Sequence, residues 1–200
     1  MKKSSRTDAL TTPDLVLLSL LAERPMHGYQ ANQLLEFRQV RDWAGISRPQ
    51  IYYSLEKLLR LKFLRAAAAE DPSEGPERRV FATTAAGRAA LASALERESW
   101  TTVRDRPPFL TWLALSWQAR PEAFQKQIAR RRAYLENELA REKQTLRDVM
   151  KEVGHRYHEA VWMLTLTIDH MALELRWLRR LQQESSRRAR ARNPVYEAKS

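Results

Sequence analysis

Cysteine is absent from the 200 residues, glycine occurs only five times, and long apolar runs are missing. Without thiols there is no disulfide framework, no cysteine nucleophile and no zinc or iron–sulfur site built on thiolates. A reducing cytoplasm is the expected setting. The longest apolar run, Leu15 to Ala22 with Ser19 inside it, falls well short of the roughly 20 residues that cross a bilayer, so no membrane partner is expected. Nor does the Met-Lys-Lys-Ser start lead into the apolar core of a secretory signal. No glycine-rich phosphate cradle, Gly-x-Ser-x-Gly elbow or catalytic pair of acids appears. An enzyme is therefore not expected, and neither is a cofactor or a metal.

What the chain has in excess is positive charge. There are 35 Lys and Arg against 24 Asp and Glu, a formal balance of +11. The surplus is uneven: residues 1–65 carry 11 positive and 6 negative charges, and residues 185–200 carry 5 and 1. Lysine and arginine release condensed counterions from phosphates, so a polyanion such as nucleic acid is the natural partner.

Local patterning sharpens this. Thr12-Pro13-Asp14 starts a helix to about Ala22, apolar on most sides, that should form the spine of a small domain. Pro25 stops it, and a second helix runs from about Gly28 to Phe37. Ser47 with Gln50 three residues on makes a capping box, and Pro49 lies in the first turn, where its missing N–H costs nothing. In the helix that follows, Ile51, Leu55, Leu58 and Leu59 form an inward stripe. Pro49, Gln50, Tyr53, Glu56, Lys57 and Arg60 are expected on the opposite face. That face offers an amide for base edges, an aromatic ring, and cations with exposed backbone N–H groups for phosphates. Two helices, a turn and a third helix of this kind make a helix-turn-helix. Residues 63–67 and 78–83 then read as two strands around a turn-rich loop at residues 70–77, a wing with Arg78 and Arg79 at its base.

His27-Gly28-Tyr29, the stretch from Ser47 to Leu58, and the hairpin ending in Arg78-Arg79-Val80-Phe81-Ala82-Thr83-Thr84-Ala85-Ala86-Gly87 together resemble the winged-helix domain of the PadR family of transcriptional regulators. The resemblance covers roughly residues 9–100. It implies a dimeric repressor that binds an operator of inverted symmetry and lets go when a small molecule or other signal shifts the dimer. Carried over position by position, Ser47, Gln50, Tyr52 and Lys57 lie in or beside the recognition helix, Tyr52 reaching the DNA backbone, with Arg78 and Arg79 in the wing. Arg48, Pro49 and Tyr53 complete the expected DNA-binding set. Tyr53 stands where the family usually has proline, Lys62 where a glycine usually turns the chain, and Pro76-Glu77 where the second strand usually starts with a glycine and a basic residue.

The second half is helical. Thr84 is expected to cap a helix through about Trp100. A short helix from Pro108 to Trp117 and a long one from Pro121 to about Val153 follow. In the last helix Tyr157, Val161, Leu164, Ile168, Met171, Leu175 and Leu178 alternate four and three apart, a heptad seam assigned to dimerisation. A second stripe, Trp162, Leu166, Leu173, Trp177 and Leu181, runs beside it. One stripe packs on the preceding long helix and the other on a second subunit, which does which being left open, the alternative being a wider core within one chain. This half resembles the virulence-activator-like helical domain of longer PadR members. Trp100, Phe109, Trp112 and Trp117 gather aromatic area suited to a planar small-molecule effector, or to plain core packing. His27 reads as a local hydrogen-bonding or packing residue, and His155, His158 and His170 as surface residues.

The expected fold is α+β, mostly α: a winged helix-turn-helix domain (9–100), a linker (101–108), a helical dimerisation and effector domain (109–184), and a basic disordered tail (185–200). The expected function is a sequence-specific DNA-binding regulator acting as a homodimeric repressor. The alternative is a protein-interaction adaptor on a winged-helix scaffold.

Overall fold

The computed structural model describes residues 9–66 and 79–188, with side chains through Ser185. The architecture is mostly α with one small sheet, as expected. Contacts divide the chain into two compact units after Arg104, within the stretch read as a linker.

In the first unit α1 (Thr12–Glu23) is the spine. Leu17, Leu18, Leu20 and Leu21 are all buried, because leucines on most sides leave only the strip at Ser19 to give to water. The strand β1 (Met26–His27) leads into α2 (Gly28–Phe37), where the His27 N–H donates to Gln30 Oε1 at 3.0 Å and the His27 ring stacks on Tyr29. His27 is thus engaged locally, through its backbone N–H and the packing of its ring. A short helix, α3 (Val40–Ala44), was not foreseen; it is bracketed by Gln39 and Gly45, both in the left-handed region. The helix α4 (Arg48–Arg60) starts at the Ser47 cap, as the capping box requires.

The strands β2 (Leu64–Ala66) and β3 (Val80–Thr83) pair antiparallel, Leu64 opposite Thr83. Their order β1-β3-β2 makes β3 central, and β1 supplies a third strand too short to be seen as a pattern in sequence. The expected wing loop and Arg78 lie outside the described residues. Lys62 adopts φ 60° at the turn into β2, a conformation that suits glycine better. Thr84 caps α5 (Ala85–Leu95), its hydroxyl accepting from the Gly87 N–H at 3.0 Å. This helix stops five residues before Trp100. The chain breaks at residues 96–98 and resumes as α6 (Ser99–Thr102), which occupies part of the expected linker. One core of α1, α2, α4 and the sheet closes around Leu17, Leu18, Ile51, Leu58 and Phe81.

The second unit opens with α7 (Pro108–Leu115) and a single 3-10 turn, Ser116–Gln118. The long helices α8 (Pro121–Val153) and α9 (Glu159–Arg188) run antiparallel, turning at the left-handed Gly154. Arg131 bonded to Glu174 and Gln125 bonded to Ser185 tie the first part of α8 to the second half of α9. Their core is Phe124, Ile128, Leu135, Leu175 and Leu178. Helix α9 continues four residues past Glu184, so the expected tail is helical through Arg188; its remainder, 189–200, lies outside the described residues. Among the described residues no helix is long and apolar enough to cross a membrane.

Candidate nucleic-acid interface

The N-terminal half of α4 is the chemically distinctive surface of the first unit. Ser47, Arg48, Pro49, Gln50 and Tyr53 are exposed, and Tyr52 is half-buried against the core. Tyr53 is 68% exposed, far more than a tyrosine kept for packing needs. Gln50 is committed in part: its Oε1 accepts from the Ser47 N–H at 2.7 Å and from the Ser47 hydroxyl at 2.9 Å. With the carbonyl oxygen used by the cap, what Gln50 presents outward is its amide NH2, a donor. A donor suits N7 or O6 of guanine, O4 of thymine or N7 of adenine, but not the two-point pattern that identifies adenine, which needs an acceptor as well. Arg48, Arg60, Arg65 and Arg79 are exposed and form no ion pair among the described residues. Arg38 is held bidentate by Glu23, and Arg41 by Glu36 and Asn32.

Lys57 does not join this surface. The sequence placed it on the outer face, but it is 5% exposed, and its Nζ lies 2.6 Å from Asp14 Oδ2 and 2.9 Å from the Ala9 carbonyl oxygen. The reason is the fully buried acid opposite: Asp14 also accepts from the Thr11 N–H and hydroxyl, and a carboxylate in the interior needs a cation. Burial pushes the Asp14 carboxyl up. Hydrogen bonds from Lys57, the Thr11 N–H and the hydroxyls of Ser54 and Thr11 outweigh it, holding the carboxyl below its ordinary value. Trp43, half-exposed on α3, is a further exposed aromatic of the first unit that was not singled out in the sequence; its only signal there was a tryptophan in a short polar stretch ahead of the Ser47 cap.

In the second unit the expected dimerisation seam is corrected. Val161, Leu164, Leu175 and Leu178 are buried within a single chain, Met171 packs on the α8/α9 core and Ile168 is half-buried. Tyr157 precedes the helix and is exposed. The apolar stripe of α8 takes this seam, so it is not a surface left for another subunit. The neighbouring stripe survives in part: Trp162, Leu166 and Leu173 are 56%, 58% and 56% exposed, while Trp177 and Leu181 pack on the core. At 100° per residue those three fall within about 40° of one another, opposite Leu164, Met171, Leu175 and Leu178.

The aromatic set expected around an effector is only partly assembled. Phe109 and Trp112 stack at 5.5 Å, and Trp112 stacks on Phe124 at 5.7 Å. With Gln127, Arg130, Arg131 and Tyr134 they line an open concavity of about 380 Å³. Arg131 lies over the rings of Phe109 and Tyr134 while gripping Glu174 through two bonds of 2.8 and 2.9 Å. Trp100 is not one of the lining residues: it belongs to the first unit, where its Nε1 donates to the Ala94 carbonyl. Trp117, exposed on the 3-10 turn, does not line it either. Gln127, Arg131 and Tyr134 were not singled out in the sequence, although their spacing of four and three along α8 puts them on one face.

The first unit is a winged helix-turn-helix domain, with helices α2 and α4 in the motif and a small sheet beside them. Residues 17–93 match the family model described as "Transcriptional regulator PadR-like family". The resemblance drawn from the motifs and the family match coincide over the first unit. Solved structures agree on the fold. The crystal structure of Bacillus subtilis PadR in complex with operator DNA superposes with a TM-score of 0.73 at 14% identity, covering 88% of this chain and 99% of that one. The same protein in complex with p-coumaric acid gives the same four values. The PadR-like transcriptional regulator BC1756 from Bacillus cereus gives a TM-score of 0.62 at 17% identity, covering 88% and 98%. No curated protein matches the chain.

Proposed function

We propose that the chain is a cytoplasmic, homodimeric repressor that reads an inverted-repeat operator with the exposed N-terminal half of α4 and is released by a small-molecule effector. The carrying observation is the exposed group of Arg48, Gln50 and Tyr53 at the start of a rigid, capped helix. It combines a phosphate-binding cation, a base-edge donor and an apolar ring, and the PadR structure bound to operator DNA supports the same use. Selection of bound genomic fragments followed by footprinting tests it directly. Recovery of a protected inverted repeat is the expected result, and failure to bind any duplex would favour the adaptor reading. Gln50→Ala and Tyr53→Ala are each expected to lower discrimination between the selected site and unrelated DNA by about tenfold, the scale of one good base contact. Arg79→Ala is expected to weaken binding to all duplexes alike and to lower the salt slope by about 1. Arg78 is proposed for the same phosphate role.

Two readers must be joined, since one small domain contacts few base pairs. The proposed joint is the exposed Trp162, Leu166 and Leu173 stripe of α9 docked on its own copy about a two-fold axis. Leu166→Glu combined with Leu173→Glu is expected to give single chains in sedimentation and to cost about 10²–10⁴ in operator affinity through lost effective concentration. A two-chain species persisting in that variant would reject the assignment. The effector is proposed to enter the concavity at Phe109 and Trp112, where a planar molecule meets aromatic faces and the Arg130 cation. The PadR structure holding p-coumaric acid supports an effector of that shape.

A further inference from the structure

We infer that the buried Lys57–Asp14 pair sets the rotation of α4 about its own axis and so positions Gln50 and Tyr53 for reading, an inference that rests on the DNA-reading proposal above. The apolar pattern of α4 and its actual burial point in different directions. At 100° per residue, Ile51, Tyr52, Leu55, Leu58 and Leu59 average to a direction about 40° past Ile51. The residues actually buried are Ile51, Ser54, Leu55, Lys57 and Leu58. Together with Tyr52 and Leu59, which pack half-buried against the same core, they average to about 10° past Ile51 on the same scale, so the helix is seated about 30° away from where its apolar side chains alone would turn it.

Hydrophobic burial is non-directional and tolerates such a rotation, whereas a 2.6 Å ion pair does not. The other end of the pair is fixed. Asp14 sits in the first turn of α1, is bonded by Thr11 N–H and hydroxyl at 2.8 and 2.9 Å, and belongs to a helix tied to the sheet through Thr83 Oγ1 on the Leu18 carbonyl. Lys57 is also bonded to the Ala9 carbonyl, so the chain leading into α1 is fastened to α4 as well. At the rim of a helix of radius about 5–6 Å, a 30° turn carries a side chain about 3 Å. That is close to the rise of about 3.4 Å between successive base pairs. A helix free to settle on its apolar side would present Gln50 and Tyr53 to the wrong edges while keeping its general attraction for phosphate.

The test is the paired substitution Asp14→Asn with Lys57→Met in the full chain. Methionine matches the lysine stem, asparagine keeps an acceptor for the Thr11 N–H, and neutral replacement of a buried ion pair commonly leaves stability intact. Affinity is read by anisotropy on the selected operator duplex and on a scrambled duplex of the same length, with the thermal midpoint measured alongside. The expected result is a discrimination ratio at least tenfold lower, with scrambled-duplex affinity and midpoint held. An unchanged ratio overturns the inference, and so does a parallel loss on both duplexes, which marks a merely structural role. Asp14→Asn alone, which leaves the Lys57 bond to Ala9 in place, is expected to lower the ratio about threefold and decides the matter if the double variant fails to fold. Wild-type protein that binds both duplexes equally removes the reading function itself, a result separable from retained discrimination in the variants.

Discussion

Lys57→Met on its own is expected to lower stability at pH 7 by about 3–5 kcal/mol, the cost of leaving a buried charge without its partner. Asp14 is fully buried, and only the Thr11 and Ser54 donors would remain to act on it. Acid should change wild type and variant in opposite senses. In the wild type the Asp14 carboxyl is held below its ordinary value, so the pair contributes stability that is present above about pH 3.9 and is lost as pH falls through the lowered value. In the variant, burial is no longer outweighed and the carboxyl is expected to rise above its unfolded value. The folded state then binds the proton more readily than the unfolded one, so acidification from pH 7 toward 4.5 should shrink the deficit. Urea unfolding of both proteins at matched concentration across that range checks it. A deficit under about 1 kcal/mol, or one that does not narrow with acid, would show that the pair is not the strut the geometry describes.

Gly87→Ala should be nearly as damaging, although in an ordinary helix the same change stabilises by about 1 kcal/mol. A Cβ at Gly87 would lie 2.2 Å from the Phe63 carbonyl oxygen and 3.0 Å from its carbon. The obstacle is backbone, and that oxygen is already held by the Thr84 N–H at 3.0 Å and the Thr84 hydroxyl at 3.1 Å. The clash therefore separates α5 from the start of β2. A loss of about 3 kcal/mol is expected, at the upper end for overpacking because no flexible side chain can yield. Hydrogen exchange at the Thr84 amide should quicken with it. A variant as stable as wild type would mean that the two segments can part at little cost, and that the base of the wing is not fixed by this contact.

Much of the fold was legible because its signals are local. The Ser47–Gln50 box, proline in the first turns of α1, α4, α7 and α8, and the glycine at the end of α8 mark boundaries within a few bonds of themselves. Those helices start where the residues say they should. Where signals were weak the outcome differed. No proline or glycine marks the break at residues 96–98, so α5 was read as running on to Trp100. With two residues, β1 is too short to show any alternation. The face proposed to read DNA was legible as a class, since Gln50 and Tyr53 stand out by periodicity, but the commitment of the Gln50 oxygen to its own cap needed coordinates. The aromatic cluster was half right for a related reason. Phe109 and Trp112 share a helix with a partner at Phe124, whereas Trp100 satisfies its N–H at Ala94 and Trp117 stays in solvent.

Taken alone, the amino-acid order determined where the long helices begin, which faces are apolar, and that a PadR-like winged helix-turn-helix precedes a unit of one short and two long helices. Those properties depend on 3.6-residue periodicity and end-capping chemistry, which act between neighbours in the chain. Only the tertiary structure decided which way a side chain with two acceptable environments goes. Lys57 has a stem that can lie on a surface and a charge that can answer a buried acid 43 residues away, and α9 carries two apolar stripes of which α8 can cover only one. Both outcomes turn on the presence of a distant partner, Asp14 in one case and the Phe124, Ile128 and Leu135 stripe in the other, and no local pattern records that partner's position.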